Sequence, residues 1–278
     1  MGDTAAQRAR VAGLFDQLAP GYDQGPVPWF RPIAARLVDL LDPRAGESAL
    51  DIGAGRGAAT FPLCAAVGSA GRVVAVDLSP AMADLLRADA DRAGVTNLDV
   101  RVGEAGPPTV DDGPYDVVAA SLVLFFDPDP AQTLRSWLRQ VRPGSGRIGI
   151  STFGPQDDAW QRAEAVLLAT APPGMADART SGTQGPFAST GSLATFFEDC
   201  GATDVESHDE PLEITLTDVR AWRAWTMSLG MRQFWDLVPP DALPDILDRA
   251  GRILEQDRGE DGLLHLTQQV RYTTARTR

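Results

Sequence analysis

The sequence has 278 residues, enough for one large α/β domain with additions and well able to bury a core. Its formal net charge of −13 argues against a nucleic-acid groove, and all 25 basic residues are Arg, which excludes a Schiff-base lysine, a pyridoxal phosphate lysine and a P-loop lysine. The two cysteines, Cys64 and Cys200, can form neither a disulfide framework nor a four-ligand zinc site, and no apolar run reaches the length of a membrane span.

The N-terminus lacks the apolar h-region of a signal peptide, so a cytoplasmic protein is expected. Val11, Leu14, Phe15 and Leu18 recur at helical spacing and predict a helix over residues 4–18, broken by Pro20-Gly21. A second helix is predicted over residues 29–41, with Ile33, Leu37, Leu40 and Leu41 on one face and Asp42-Pro43 ending it.

Ala49, Leu50 and Ile52 then read as a short buried strand. Gly53, Gly55 and Gly57 follow as a tight turn, and residues 58–67 are rich in helix-compatible apolar side chains. Strand, glycine turn and helix open a nucleotide-binding βαβ unit. The glycines let the backbone turn and a ligand approach without a Cβ, and the helix N-terminus offers unpaired N–H groups. Gly53, Gly55 and Ala58 also satisfy the loose dinucleotide pattern G-x-G-x-x-G/A, so glycines alone leave the nucleotide open. Asp51 stands two residues before Gly53, where a pyrophosphate gains nothing from a fixed negative charge. Gly57 follows Gly55 by only two residues, giving D-x-G-x-G-x-G.

That pattern resembles the first motif of class I S-adenosylmethionine-dependent methyltransferases. The stretch Phe15-Asp16-Gln17-Leu18-Ala19-Pro20-Gly21-Tyr22-Asp23 resembles the F-D-x-x-A-x-x-Y-D entry of their ubiquinone/menaquinone-type small-molecule group. The cofactor that the resemblance implies, S-adenosyl-L-methionine with S-adenosyl-L-homocysteine as product, has no phosphate and carries a sulfonium and an ammonium. A carboxylate in the turn therefore makes electrostatic sense. The implied fold is α/β, a Rossmann-like doubly wound, mostly parallel seven-stranded sheet with an antiparallel last strand. The N-terminal stretch is expected to fold over the cofactor, with Gly53 and Gly55 touching it. Tyr22 either grips the cofactor carboxylate, the preferred reading, or contacts substrate.

The second strand, residues 72–76, delivers Asp77, an acid suited to both ribose hydroxyls of an adenosine cofactor, with Leu78 beside it. Ser79-Pro80 starts a helix as N-cap and first helical residue. Met82 resembles the position that packs on the adenine in related enzymes and reads equally well as core. The third strand, residues 98–102, ends in Gly103-Glu104-Ala105; the resemblance makes Glu104 the acceptor for the adenine amino group, with Ala105 alongside. A turn signal at Asp111-Asp112-Gly113-Pro114 precedes the fourth strand, residues 115–120. By resemblance Ser121 and Leu122 contact the methionine part of the cofactor, and Phe125 and Phe126 wall the substrate. A helix over residues 131–141 and the turn Arg142-Pro143-Gly144-Ser145-Gly146 lead to a fifth strand, residues 147–153. Such strand–helix alternation is what a parallel doubly wound sheet requires.

Beyond residue 153 the pattern changes. A helix over residues 158–169 precedes a Pro-, Gly-, Ser- and Thr-rich loop, residues 171–190, long enough to be a lid or binding segment. Leu193, Phe196, Phe197 and Cys200 mark a short amphipathic helix. Two β-like stretches follow, residues 203–217 and 263–274, separated by a helical insertion over residues 218–256. The insertion holds Trp222, Trp225, Met227, Met231, Phe234 and Trp235. Most read as packing against the domain, but Trp222, Trp225, Met231 and Trp235 are expected to include the lining of an apolar substrate pocket. The organisation expected is a helical cover over residues 1–46, a cofactor-binding core over 47–216, a helical lid over 217–257 and a last strand over 258–278 completing the sheet.

Methyl transfer is an in-line displacement at carbon that rests largely on positioning. The two histidines, His208 in Ser207-His208-Asp209-Glu210 and His265 on the last strand, are the candidate general bases, although a lone strand histidine also reads as structural. A nicotinamide oxidoreductase is disfavoured because no Y-x-x-x-K motif is possible. The function expected is transfer of the methyl of S-adenosylmethionine to a carbon or oxygen of a largely apolar small molecule, a secondary metabolite or quinone-like compound. The alternative is a relative that binds the cofactor structurally or for a non-methylating reaction. No metal, nucleic acid or membrane span is expected; a homo-oligomer stays open.

Overall fold

The computed structural model describes residues 2–25, 27–106, 113–172, 175 and 182–278. Seven strands, β1 (Ser48–Ile52), β2 (Arg72–Asp77), β3 (Leu98–Val102), β4 (Val117–Ser121), β5 (Arg147–Gln156), β6 (Thr203–Leu216) and β7 (Leu264–Arg276), form one sheet in the order 3-2-1-4-5-7-6. β1 to β5 pair in parallel, and β7 runs antiparallel between β5 and β6. This is the Rossmann-like sheet with a reversed last strand that the family resemblance implies. The central strands are continuous apolar runs because both faces are covered: Val73, Val74, Val76, Val117 and Val118 are all buried.

Two strands differ from expectation for a pairing reason. β5 continues to Gln156, past an irregularity after Phe153, because β7 runs alongside it, and β7 reaches Arg276 for the same cause. Tyr115 falls outside β4, held instead by an isolated bridge to Val141, which lies beyond the helix Pro130–Leu138. Asp111 and Asp112 of the turn signal, and much of the 171–190 loop, lie outside the described residues.

Two helices precede the sheet. The first, α1 (Gly2–Leu18), is latched by Asp16, whose Oδ1 accepts from Ser79 Oγ at 2.5 Å and from the Ala81 N–H at 3.2 Å. Ser79 is itself the N-cap of the helix Pro80–Ala93, accepting the Met82 N–H. The second, α2 (Phe30–Leu41), packs Leu37 and Leu41 so closely on β5 that a Cβ at Gly149 would stand 3.0 Å from both.

Between β6 and β7 lie the helices Val219–Thr226, Arg232–Trp235 and Leu243–Leu254. Rings weld this insertion to the domain. Trp225 meets Trp29 at 5.3 Å and Trp160 at 5.5 Å between centroids, and Trp222 meets Trp235 at 5.5 Å. Trp235 also donates its indole N–H to Thr226 Oγ1. Among the described residues no helix is long and apolar enough to cross a membrane.

Candidate functional site

Strand order reverses direction between β1 and its neighbours β2 and β4, and ligands of open α/β sheets bind in the crevice this opens at the strand C-termini. A cavity of about 550 Å³ lies there, a usual size for a small-molecule site. The glycine turn shapes its floor. Gly53 has φ +69°, and a Cβ on it would stand 2.4 Å from Val123 Cγ2, so the turn after β1 and the segment after β4 touch only because this side chain is missing. Gly57, at φ +90°, would meet Leu86 Cδ1 at 2.6 Å. Gly55, at φ +53°, has open space where its Cβ would be.

Two carboxylates face this turn. Asp51, one residue from the end of β1 and 1% exposed, accepts the Thr60 hydroxyl at 2.5 Å. Burial first, and then the nearby Asp77, pushes its pKa up to about 7 despite that hydrogen bond. Asp77, the last residue of β2, accepts the N–H of Gly55 at 2.7 Å and of Ser79 at 2.8 Å, and burial raises its pKa as well. Among the described residues neither acid has a cationic partner. A phosphate fits badly here, since Asp77 already occupies the turn's N–H. A ligand bearing positive charge and hydroxyls fits well, which is the chemistry of a sulfonium nucleoside.

The walls come from distant segments. Glu104, after β3, accepts from Arg8 of α1 at 2.6 Å through Oε2. Ala105 is fixed by the Trp137 indole, which donates to its carbonyl at 2.6 Å. Leu78 lies at the mouth of β2, and Met82, buried on the next helix, also reaches the cavity. Past β4, Ser121 and Ser151 share a hydroxyl contact at 2.9 Å, and Leu122 takes the unusual φ of +60°. Tyr22 roofs the opposite side; burial and the charges of Asp23 and Asp77 push its phenol upward, so it stays a donor.

The eleven residues read as cofactor contacts therefore line one cavity, and Phe126 does too. Phe125 does not; it lies behind Phe126, packed on Phe153 and Phe187. The insertion's Trp222, Trp225, Met231 and Trp235 are corrected: all are buried, and none lines the cavity. The helix Val219–Thr226 has one ring-bearing face, and the domain surface at Trp29 and Trp160 consumes it. His208 and His265 are likewise corrected. His208 sits on the edge strand β6, 43% exposed, paired with Glu210 at 3.0 Å, and His265 pairs with Asp261 at the start of β7. Neither histidine lines the crevice: β6 and β7 lie at the far side of the sheet from β1 and β2, whose ends frame it.

The lining also includes Arg8, Phe30, Arg31, Arg56 and Arg92, which the sequence pattern does not single out. Phe30 has the spacing of an ordinary helical core position, and nothing local marks the arginines.

A family model described as a methyltransferase domain matches residues 49–144. The chain is 35% identical over 275 residues to the nocamycin O-methyltransferase of Saccharothrix syringae, covering 95% of this chain and 98% of that one. It is also 35% identical over 148 residues to the aklanonic acid methyltransferase DauC of a Streptomyces strain, covering 53% of this chain and 67% of that protein. Among solved structures the YcgJ protein from Bacillus subtilis shares the fold, with a TM-score of 0.58 at 14% identity over 89% of this chain and 99% of that one.

Proposed function

The chain belongs to the class I S-adenosylmethionine-dependent methyltransferases of small-molecule type, and from that premise we propose that it methylates an oxygen of a largely apolar secondary metabolite by in-line displacement. The observation that carries this reading is the pair Asp51 and Asp77, carboxylates at the ends of adjacent strands that face the cavity without a cationic partner among the described residues. Oxygen is preferred over carbon because the relative matching nearly the whole chain is named an O-methyltransferase.

Bound S-adenosylmethionine supplies a methyl on positively charged sulfur whose departure leaves a neutral thioether. The chain's part is to bind and orient. Asp77 accepts the ribose hydroxyls, keeping its Gly55 and Ser79 donors as anchors. Glu104 offers the adenine amino group its Oε1, since Arg8 holds Oε2. Met82, Leu78 and Ala105 flank the base. Tyr22 donates to the methionine carboxylate, and Ser121 and Leu122 lie under the methionine chain. Phe126 walls the acceptor side, where the nucleophile must come within about 3–3.5 Å of the methyl. No lining group among the described residues needs to act as a base for this account.

Calorimetry with S-adenosylmethionine, S-adenosylhomocysteine and NADH tests the reading. Heat with the first two and none with the third is expected; the reverse refutes it. Methyl transfer to an acceptor drawn from metabolite extracts, read by mass, separates an enzyme from a mere binder.

A further inference from the structure

The cleft's charges do not balance among themselves. Four arginines line it: Arg8, Arg31, Arg56 and Arg92. Arg8 holds Glu104 and reaches Asp127 at 3.6 Å. Arg56 and Arg92 share Asp89, each at 2.8 Å. Arg31, in the first turn of α2, is exposed and makes no hydrogen bond or ion pair with any described residue. Its charge is felt by Asp23, but that carboxylate turns Oδ1 to the Trp29 N–H at 3.1 Å.

Arg31 also ends an aromatic run. Its neighbour Phe30 stacks on Tyr22 with centroids 4.6 Å apart and planes 14° apart. Tyr22 and Phe126 both meet Phe15 edge-on, at 5.9 and 5.4 Å. All four rings line the cleft.

A separate observation concerns protons. The cleft presents no imidazole, thiol or amine: the chain has no Lys, and neither histidine and neither cysteine lines it. Six described carboxylates line it, and each already has at least one partner; Asp23 accepts the Trp29 N–H. Asp51 holds Thr60, Asp77 holds two backbone N–H groups, and Asp89, Glu104 and Asp127 face arginines. A neutral alcohol must lose a proton as it is methylated, and among the described residues no imidazole, thiol or amine stands in the cleft to take it. An acceptor that arrives ionised needs no base.

Resting on the methyltransferase reading, we propose that the acceptor is a flat, apolar organic acid, a carboxylic acid or an equally acidic enol, whose negative oxygen group is received by Arg31. The planar guanidinium fork matches a carboxylate and stacks well among rings. In the transfer, an acceptor oxygen forms a bond to the methyl carbon as the carbon–sulfur bond breaks. The electron pair of that bond stays on sulfur, which becomes neutral, and no proton is gained or lost. The same fork also suits the carboxylate of the methionine moiety, so the experiment must separate the two sources.

Protein loaded with S-adenosylhomocysteine is titrated calorimetrically with anthraquinone-2-carboxylate and with its neutral analogue 2-(hydroxymethyl)anthraquinone, in wild-type and Arg31→Gln forms. S-adenosylhomocysteine itself is titrated into both forms, and thermal unfolding confirms that the exposed substitution leaves the fold intact. In the wild type the acid is expected to bind about tenfold tighter than the alcohol, the size of one charge-assisted hydrogen bond. Arg31→Gln should abolish that preference while leaving S-adenosylhomocysteine affinity unchanged, and Arg31→Lys should keep part of it. Loss of S-adenosylhomocysteine affinity in Arg31→Gln with the acid preference intact assigns the guanidinium to the cofactor and overturns the proposal. Equal binding of the two probes, or binding of neither, overturns it too while the methyltransferase reading stands. If wild-type protein fails to bind S-adenosylhomocysteine at all, that reading falls and takes this proposal with it.

Discussion

Arg8 and Glu104 meet across the mouth of the cleft, Nη1 to Oε2 at 2.6 Å, and the same guanidinium donates to the Gly106 carbonyl at 2.8 Å. These contacts tie the first helix to the turn after β3. Both side chains are partly exposed, 25% and 47%, so the ion pair is worth at most about 1 kcal/mol. Arg8→Ala is therefore expected to shift the urea midpoint little while speeding amide exchange in α1. Glu104→Ala should in addition weaken S-adenosylhomocysteine binding by roughly tenfold, one hydrogen bond's worth. Equal effects of the two changes on affinity would remove Glu104 from the adenine.

Asp77 does two jobs, anchoring Gly55 and facing the cavity. Asp77→Ala should lower S-adenosylhomocysteine affinity by about 1–3 kcal/mol, the range for losing hydrogen bonds to a charged acceptor. Calorimetry checks this, and unchanged affinity rules out the ribose assignment.

Gly53→Ala meets two obstacles, a φ of +69° and Val123 Cγ2 at 2.4 Å. Together they should cost more than about 2 kcal/mol, from left-handed backbone strain and overpacking. Adding Val123→Ala relieves the clash but not the strain. Denaturant unfolding should therefore show partial recovery; full recovery would mean that the backbone angle does not matter.

Asp51, with a pKa near 7 set mainly by burial, makes the protein pH-sensitive. An unfolded aspartate titrates near 3.9. Between those values the folded chain keeps a proton that the unfolded chain has released, so this group's contribution to stability falls as pH rises through the window and levels off above it. A cationic ligand beside Asp51 draws its pKa down and expels that proton. The thermal stabilisation given by S-adenosylmethionine should therefore grow from pH 5.5 to pH 8, and Asp51→Asn should flatten the rise. A stabilisation that shrinks with pH would contradict the charge assignment.

His208→Ala and His265→Ala should each leave methyl transfer within about twofold of wild type, because both rings pair with surface carboxylates outside the cleft. A large loss of rate in either variant would restore a base to the mechanism.

The strand-end side of the cleft is legible from the chain itself. Asp51, Gly53, Gly55 and Asp77 act through their own strand ends and turns, and backbone geometry over a few residues dictates where such residues point. The side built by the helices is not. A tryptophan on the apolar stripe of a helix has the same sequence signal whether it faces a cavity or a core, and only the arrival of Trp29 and Trp160 against Trp225 made it core. Likewise Phe15, Phe30 and Arg31 carry ordinary helical signatures. What sets them around the cleft is the docking of α1 and α2 over strands far along the chain, a matter of long-range packing that local pattern does not encode.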